Sequence, residues 1–225
     1  TDVKTLDLTF MDSHNYVITA RDVRGPWSEP VYLNSSGIDP GMFHDDDGRH
    51  WLVNMEWDFR DGKNRFGGIL LQEYSPEEKK LVGPVTKIFA GSPLGVTEGP
   101  HLYKMRGYYY LLTAEGGTGP GHAVTIARSR TITGPYEIDP ENPVLTSRDD
   151  PGAQIIRAGH ADLVETQHGE WYMVHLGSRP LKPQGRSVLG RETFIQKMEW
   201  TSDGWIRPAA GDRRPRMTVP APSGL

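Results

Sequence analysis

Short hydrophobic segments bounded by polar, glycine-containing turns recur along this chain, a pattern that predicts strands rather than helices. Segments 51–55, 108–112 and 171–175 are rich in aromatic and branched apolar residues, and each follows a turn that contains glycine. Such segments are typical of β-strands. No window combines capping residues with a sustained apolar period of about 3.6 residues, which an amphipathic helix requires. Only segment 76–80 suggests a helical turn, and we interpret it as the tip of a hairpin.

Turn signals recur along the chain at nearly regular intervals. Gly48, Gly107 and Gly169 precede the three strand segments and are 59 and 62 residues apart. Glycine favours tight hairpins there because it accepts a positive φ. Gly-Pro corners at 25–26, 83–84 and 134–135 form a second series, with spacings of 58 and 51. A unit of strands and turns with this length is typical of the four-stranded blade of a β-propeller. A β-sandwich with coincidental spacing is the alternative.

Counting the units predicts about three and a half blades of an all-β propeller. Units 34–90, 91–150 and 151–217 are complete, residues 1–33 supply part of a further blade, and residues 218–225 form a tail or linker. So few blades would leave a long unpaired sheet edge, which native proteins avoid. We therefore expect residues 1–217 to be a partial propeller that lacks its N-terminal blade.

Composition and charge exclude several classes of function. The 25 lysines and arginines are outnumbered by 29 aspartates and glutamates, which gives a net charge of −4. We therefore expect neither a nucleic-acid partner nor a polybasic membrane patch. No apolar run approaches the roughly 20 residues of a membrane helix. The chain has no cysteine, which excludes disulfides and cysteine nucleophiles. With no signal-peptide pattern at its start, a soluble chain of this kind could be cytoplasmic or secreted.

Two carboxylates lie at similar places in successive units. Asp39 precedes Pro40, and Glu98 follows 59 residues later, before Gly99-Pro100. Alone, each is an ordinary turn or loop residue. Their recurrence at the repeat length predicts that both project into one central pocket, where burial would raise the pKa of a general acid. Paired carboxylates in a pocket indicate glycosidic chemistry.

The motifs, taken in order, resemble glycoside hydrolase family 43. The resemblance is carried by the sequences S-G-I-D-P and F-H-D-D-D-G in segment 36–48, by T-E-G-P-H-L-Y-K in 97–104, and by G-R-E-T-F in 190–194. Segments 175–180 and 200–205 are most similar to the β-xylosidase branch of this family. The resemblance covers nearly the whole chain. It implies a five-bladed propeller and an inverting hydrolase that removes xylose from the non-reducing end of xylo-oligosaccharides.

The resemblance also implies catalytic roles. Glu98 matches the general acid, and Asp39 matches the carboxylate that keeps the pKa of the acid high. The general base of the family is an aspartate in a Pro-Asp-Pro setting of the first blade, and no aspartate before Asp39 has that setting. An inverting hydrolase needs two carboxyl groups about 6.5–9.5 Å apart. We therefore expect this chain alone to be inactive or nearly so.

Other residues match the substrate and metal sites of the family. Arg191 matches an arginine that binds sugar hydroxyls, with Glu192 as its partner; the alternative is a surface ion pair. His160 matches a central histidine that in many members helps to hold a hydrated calcium ion, although no cofactor is required. The remaining pocket candidates are Thr118, Trp57 and Phe59, with His101 and His122 as further possibilities.

Several alternatives stay open. The family also includes α-L-arabinofuranosidases and arabinanases. A chain that lacks the base could be a non-catalytic carbohydrate-binding propeller, and a propeller can serve protein contacts alone. β-Xylosidases of this branch commonly carry a C-terminal β-sandwich domain, and we interpret segment 213–222 as a linker towards such a domain.

Overall fold

The structure is a computed structural model that describes residues 2–5, 8–11, 13–182 and 185–224, with side chains from residue 13 onwards. Small parts of the predicted segments 1–33, 151–217 and 218–225 lie outside these residues. The described residues form strands and turns and contain no helix, which confirms the all-β prediction. None of them forms a helix long and apolar enough to cross a membrane. The strands are β1 (Asp2–Thr5), β2 (Leu8–Met11), β3 (Asn15–Val17), β4 (Val31–Asn34), β5 (Gly37–His44), β6 (His50–Trp57), β7 (Phe66–Ser75), β8 (Lys80–Phe89), β9 (Glu98–Met105), β10 (Tyr108–Glu115), β11 (Ala123–Ser129), β12 (Glu137–Ile138), β13 (Leu145–Thr146), β14 (Ile156–Glu165), β15 (Trp171–Ser178), β16 (Glu192–Trp200) and β17 (Ile206–Pro208).

Three antiparallel sheets of consecutive strands follow one another along the chain. The first sheet has the order β5-β6-β7-β8, the second β9-β10-β11-β12 with β13 also paired to β11, and the third β14-β15-β16-β17. They span residues 37–89, 98–146 and 156–208. The hairpins β1-β2 and β3-β4 precede them. The blade count and the predicted blade boundaries stay predictions.

The three predicted glycine turns connect the first two strands of each sheet. Gly48, Gly107 and Gly169 have φ angles of 85°, 75° and 74° and join the first two strands of their sheets. Residues 76–79 form the β7-β8 hairpin turn and Lys80 begins β8, so segment 76–80 lies at the tip of a hairpin, as expected. Gly83-Pro84 is different, because it lies inside β8 and not at a corner. It sits at a break in the β7-β8 register on an edge strand, a place where proline is tolerated.

The second sheet is buried on both faces. Side chains that alternate along β10 point in opposite directions, so Leu111 packs against the first sheet while Tyr110 and Leu112 pack against the third. One apolar cluster between the first two sheets includes Met55 and Ile69, which are fully buried. The sheets therefore stack face to face around the middle one.

Buried carboxylates also connect neighbouring sheets. Asp45 at the end of β5 accepts hydrogen bonds from Lys104 Nζ (2.5 Å) and Tyr109 Oη (2.7 Å) of the second sheet. Asp139, which is 2% exposed, accepts a hydrogen bond from Arg207 Nη2 of the third sheet at 2.7 Å. Each contact pairs an enclosed negative charge with a cation from the next sheet.

The segment predicted to be a linker lies along the third sheet. The Gln196 side-chain amide donates to Arg216 O (3.1 Å) and accepts from Arg216 N (3.0 Å). Further along, Tyr172 Oη donates to Pro220 O (3.1 Å), and Ser223 N donates to a Glu170 carboxylate oxygen (2.7 Å). Segment 213–222 is therefore attached along its length, because buried polar groups of β15 and β16 use its backbone as a partner.

The Asp139–Arg207 pair provides a test of the contact between sheets. Replacing Asp139 by Ala should lower the free energy of unfolding by about 3–5 kcal/mol, because Arg207 would remain without its buried counter-charge. The exposed pair of Asp22 and Arg24 is the matched control, and Asp22→Ala should cost much less, because solvent screens an exposed ion pair. Denaturant unfolding of both variants measures the difference. Equal losses would contradict the role assigned to Asp139.

Candidate active site

The leading strands of the three sheets share one backbone feature. In β5, β9 and β14 the pairing with the next strand shifts register. At this shift Asp39, Gly99 and His160 have positive φ angles of 56°, 59° and 48°. Asp39 therefore corresponds to Gly99, 60 residues later, and Gly99 corresponds to His160. The expectation that Asp39 and Glu98 occupy corresponding places is wrong by one position. Asp39 lies nine residues before the hairpin glycine Gly48, whereas Gly99 lies eight residues before Gly107, so the 59-residue spacing of the glycines does not hold at the start of the strands.

The two candidate carboxylates nevertheless lie at one place between β5 and β9. The Gly99 amide donates a hydrogen bond to Asp39 Oδ2 at 3.0 Å, so the residue that follows Glu98 is tied to Asp39. Asp39 is half-buried, and Glu98 is only 8% exposed. The structure thus brings together the two residues that the sequence selected, through a contact between neighbouring sheets.

The surroundings of Glu98 favour its protonated form. Burial and, second, the negative charge of Asp39 raise the pKa of Glu98 to about 7, while the positive charge of Arg191 acts in the opposite direction. A carboxyl with this pKa still carries a proton in a substantial fraction of molecules near neutral pH. It can therefore donate that proton to a leaving group, as a general acid must.

Arg191 lies near the site, but its predicted partner is wrong. Glu192 pairs with Arg179 instead, with a distance of 2.6 Å between Arg179 Nη2 and Glu192 Oε1. Neighbouring residues at a strand start point to opposite sides, so Arg191 and Glu192 diverge. Arg191 is exposed, and its charge acts on Glu98.

Three histidines surround the start of β9 and β14. The His160 ring covers Gly99 so closely that a Cβ atom on Gly99 would lie 3.0 Å from His160 Nε2. His122 is fully buried against Gly159, and neither of its ring nitrogens has a hydrogen-bond partner among the described residues. Burial lowers the pKa of His122 to about 4 and also lowers the pKa of His101. His122 is therefore neutral near neutral pH.

The described residues do not fit a directly bound calcium ion. They contain no group of three or more histidine, aspartate or glutamate side chains close enough to hold a metal. Calcium prefers six to eight oxygen ligands, whereas His160 offers a nitrogen. A hydrated ion held by His160 through water stays a prediction, and no chemical step is assigned to it.

The aromatic candidates differ in exposure. Trp57 is half-buried, packs on Phe66 with ring centroids 5.0 Å apart, and lies at the edge of the core. Phe59 is 39% exposed and stacks on Trp57 at 5.8 Å. The structure thus leaves Phe59 the more accessible ring, while Trp57 contributes mainly to packing.

Thr118 lies in the exposed loop between β10 and β11. The start of this loop is attached to the loop that precedes Glu98, because Gly116 N donates to Gly95 O at 2.8 Å. The two loops therefore belong to the same side of the second sheet. The candidates lie at the end of the sheets where β5, β9 and β14 begin and β6, β10 and β15 end, which we call the open face. Cavities of about 450 and 590 Å³ elsewhere contain none of them.

One buried carboxylate beside the site was not among the sequence candidates. Glu115 ends β10, is fully buried, and accepts hydrogen bonds from Ser92 and Thr97 in the loop that leads into Glu98. Its position between an apolar strand and Gly116-Gly117 could have drawn attention to it. Its partners could not be found from the sequence, because they come from a different loop.

These features define a class of protein. Consecutive antiparallel sheets with a buried, protonatable carboxyl beside a second carboxylate are typical of glycoside hydrolases built on a β-propeller. Residues 5–206 match the family model of glycosyl hydrolases family 43, and the chain belongs to this family.

Relatives with high identity are xylosidases by name. The chain is 57% identical over 206 residues to xylosidase/arabinosidase 43B of Humicola insolens. The matched region covers 92% of this chain and 38% of that protein. It is 50% identical over 231 residues to a β-xylosidase of Bacillus subtilis, with 99% and 43% covered. The crystal structure of xylan β-1,4-xylosidase from Bacillus halodurans C-125 superposes with a TM-score of 0.92 at 59% identity, over 95% of this chain and 41% of that one. The chain thus spans about two fifths of the length of these relatives.

The protonation of Glu98 predicts a pH-dependent stability. Between pH 4.5 and 7 the folded chain holds a proton that the unfolded chain has released, so the contribution of Glu98 to the free energy of unfolding falls as the pH rises. The loss amounts to about 3 kcal/mol, and Glu98→Gln should remove it. The unfolding free energy of the variant, minus that of the native chain, should therefore increase from pH 4.5 to 7.5.

The control is Glu165→Gln, which neutralises an exposed carboxylate in β14. It makes the same chemical change at an exposed position, so it is the reference against which the pH dependence of the Glu98→Gln difference is measured. Denaturant unfolding at several pH values measures both differences. A Glu98→Gln difference that stays constant with pH would contradict a raised pKa.

Proposed function

We propose that this chain carries the acid-bearing part of an exo-acting β-xylosidase, which removes xylose from the non-reducing end of xylo-oligosaccharides with inversion. The observation that carries the proposal is the buried Glu98 carboxyl, whose pKa is raised to about 7 by burial and by Asp39. The xylosidase names of the relatives support the choice of sugar.

In the proposed reaction Glu98 protonates the glycosidic oxygen as its bond to the anomeric carbon breaks. The leaving sugar then departs as a neutral alcohol. A water molecule attacks the anomeric carbon from the opposite face and gives its proton to a general base, so that the product has the inverted configuration. Asp39 takes no proton in this scheme. Its carboxylate, fixed by the Gly99 amide, keeps the Glu98 proton in place until the substrate arrives.

We propose that the general base comes from a segment outside this chain. No aspartate before Asp39 stands in a Pro-Asp-Pro setting, and Asp39 itself is engaged with Gly99. By this proposal the chain alone turns over little or no substrate. A further N-terminal blade would supply the base, and a C-terminal β-sandwich domain would close the open face.

The substrate would lie on this open face. Arg191 is exposed and close enough for its charge to act on Glu98, so its guanidinium can donate to the hydroxyl groups of the terminal sugar. Phe59 can stack on a sugar face. Thr118, Trp57 and His160 complete the proposed surface. We also propose that His160 can hold a hydrated calcium ion through water, and we assign this ion no catalytic step.

A second candidate function is α-L-arabinofuranosidase activity. The observation that favours it is the similarity to the relative from Humicola insolens, which is named a xylosidase/arabinosidase. A non-catalytic carbohydrate-binding propeller is the third possibility, and it predicts binding without hydrolysis.

Kinetics of the complete enzyme, with its base-bearing segment, test these proposals. Glu98→Gln should lower kcat on xylobiose by about 10²–10⁴-fold, because the departing sugar needs a proton. The loss should be smaller on nitrophenyl β-xyloside, whose leaving group departs unprotonated. For the native enzyme, activity on xylobiose should fall as the pH rises through about 7.

The control is again Glu165→Gln, which should retain native kinetics. Faster release of arabinose than of xylose from matched nitrophenyl glycosides would favour the second function. Binding of xylo-oligosaccharides without hydrolysis would favour the third. An unchanged kcat in Glu98→Gln would remove Glu98 from the mechanism.

A further inference from the structure

The Glu115 side chain is the partner of three donors in the loop before Glu98. It is fully buried at the end of β10. One carboxylate oxygen accepts hydrogen bonds from Ser92 N (2.8 Å) and Thr97 Oγ1 (2.7 Å), and the other accepts one from the Ser92 hydroxyl. A carboxylate that accepts three hydrogen bonds from one loop holds both ends of that loop against β10.

This loop has an unfavourable backbone conformation directly before the acid. Val96 has a φ angle of 54°, which is rare for a β-branched residue because its side chain crowds the backbone. Such a conformation persists only where surrounding contacts determine it. Thr97 follows Val96, is 2% exposed, and is one of the two residues that Glu115 holds.

Close packing fixes Thr97 from a second side. A Cβ atom on Gly91 would lie 2.1 Å from Thr97 Oγ1, so the loop backbone contacts this hydroxyl directly. The same hydroxyl donates its only proton to Glu115. Any movement of Thr97 would therefore break a buried hydrogen bond and would also carry Glu98, its neighbour in the chain.

The register of β9 and β10 relates the two glutamates. Glu98 is paired with Ala114, and Glu115 is the next residue of β10. Adjacent residues of a strand project to opposite faces, so Glu115 lies beside the start of β9 without taking the place of Glu98. Glu115 can therefore hold the start of β9 in place while the Glu98 side chain remains free to contact substrate.

We propose that Glu115 is a positioning residue for Glu98, which by holding Ser92 and Thr97 keeps the Val96 corner in the conformation that buries the acid. The inference rests on the proposed role of Glu98 as general acid. Glu115 touches neither substrate nor reacting atoms, and its effect passes through Thr97.

The test follows the ionisation of Glu98 in this chain, without need for activity. Carboxyl signals of isotope-labelled glutamate are titrated by NMR, and the Glu98 signal is the one absent from Glu98→Gln. In the native chain it should titrate near pH 7. In Glu115→Gln the amide cannot accept from every donor, so the loop should relax, expose Glu98 and lower its titration midpoint by at least one pH unit.

A second pair of variants separates the hydrogen bonds from the charge of Glu115. Thr97→Val removes one donor and leaves the Glu115 carboxyl in place, and it should also shift the Glu98 midpoint downwards. Thr97→Ser keeps the hydroxyl and should restore native titration. Asp39 and Arg191, the charged groups that act on Glu98, are unchanged in all of these variants.

Asp139→Asn is the matched control, because it converts another buried carboxylate to an amide in a contact without a link to Glu98. It should lower Tm and leave the Glu98 midpoint unchanged. If Glu115→Gln does not fold, the titration of Glu98 in Thr97→Val decides whether the inference holds. Native titration of Glu98 in folded Glu115→Gln, or in Thr97→Val, would overturn the inference.

Failure of this inference is distinguishable from failure of the proposed function. If Glu98 titrates near pH 7 in the native chain but Glu115→Gln and Thr97→Val leave it there, only the positioning role is lost. If native Glu98 titrates near pH 4.5, both are lost. In the complete enzyme, Glu115→Gln should lower kcat about 10–100-fold with little change in KM, and should move the basic limb of the pH profile to lower pH.

Discussion

The hydrogen bond from the Gly99 amide to Asp39 is the contact on which the site depends. It crosses from the second sheet to the first and fixes the start of β9 against β5. The carboxylate of Asp39 therefore lies beside a glutamate that the two sheets bury. Neither sheet alone could produce this effect, because burial comes from their packing and the charge comes from the neighbouring strand. The protonatable acid is thus a property of the interface between repeats.

The same dependence on two sheets explains the arrangement of the core. The middle sheet has apolar side chains on both faces, so its position is set from both sides. Asp45 and Asp139 add charged contacts to the first and third sheets. A rigid middle sheet gives β9 and β10 the fixed geometry that a catalytic carboxyl requires, since small displacements of such a group cost much of its effect.

The sequence could predict features that depend on neighbouring residues, and it could not predict contacts between distant ones. The glycines of the hairpins were predictable because a positive φ at a turn depends on residues next to each other, as at Gly48 and Gly107. The one-residue error between Asp39 and Glu98 arose because the glycine spacing was taken as the strand spacing, although the stretch that ends at Gly48 is one residue longer than the stretch that ends at Gly107. Glu192 was assigned the wrong partner because Arg179 is distant in sequence. Glu115 was missed for the same reason, since its donors come from a loop that only the folded chain brings to it.

Asp39, Gly99 and His160 are three copies of one backbone position, and only two of them carry a side chain. The His160 ring occupies the space that a side chain on Gly99 would need. The absence of a side chain at Gly99 leaves room for the His160 ring, while the Gly99 amide donates a hydrogen bond to Asp39. The three positions are equivalent in the backbone, and the site becomes asymmetric because one of them has no side chain. In a repeat protein of this kind, an omission can be as informative about the active centre as a charged residue.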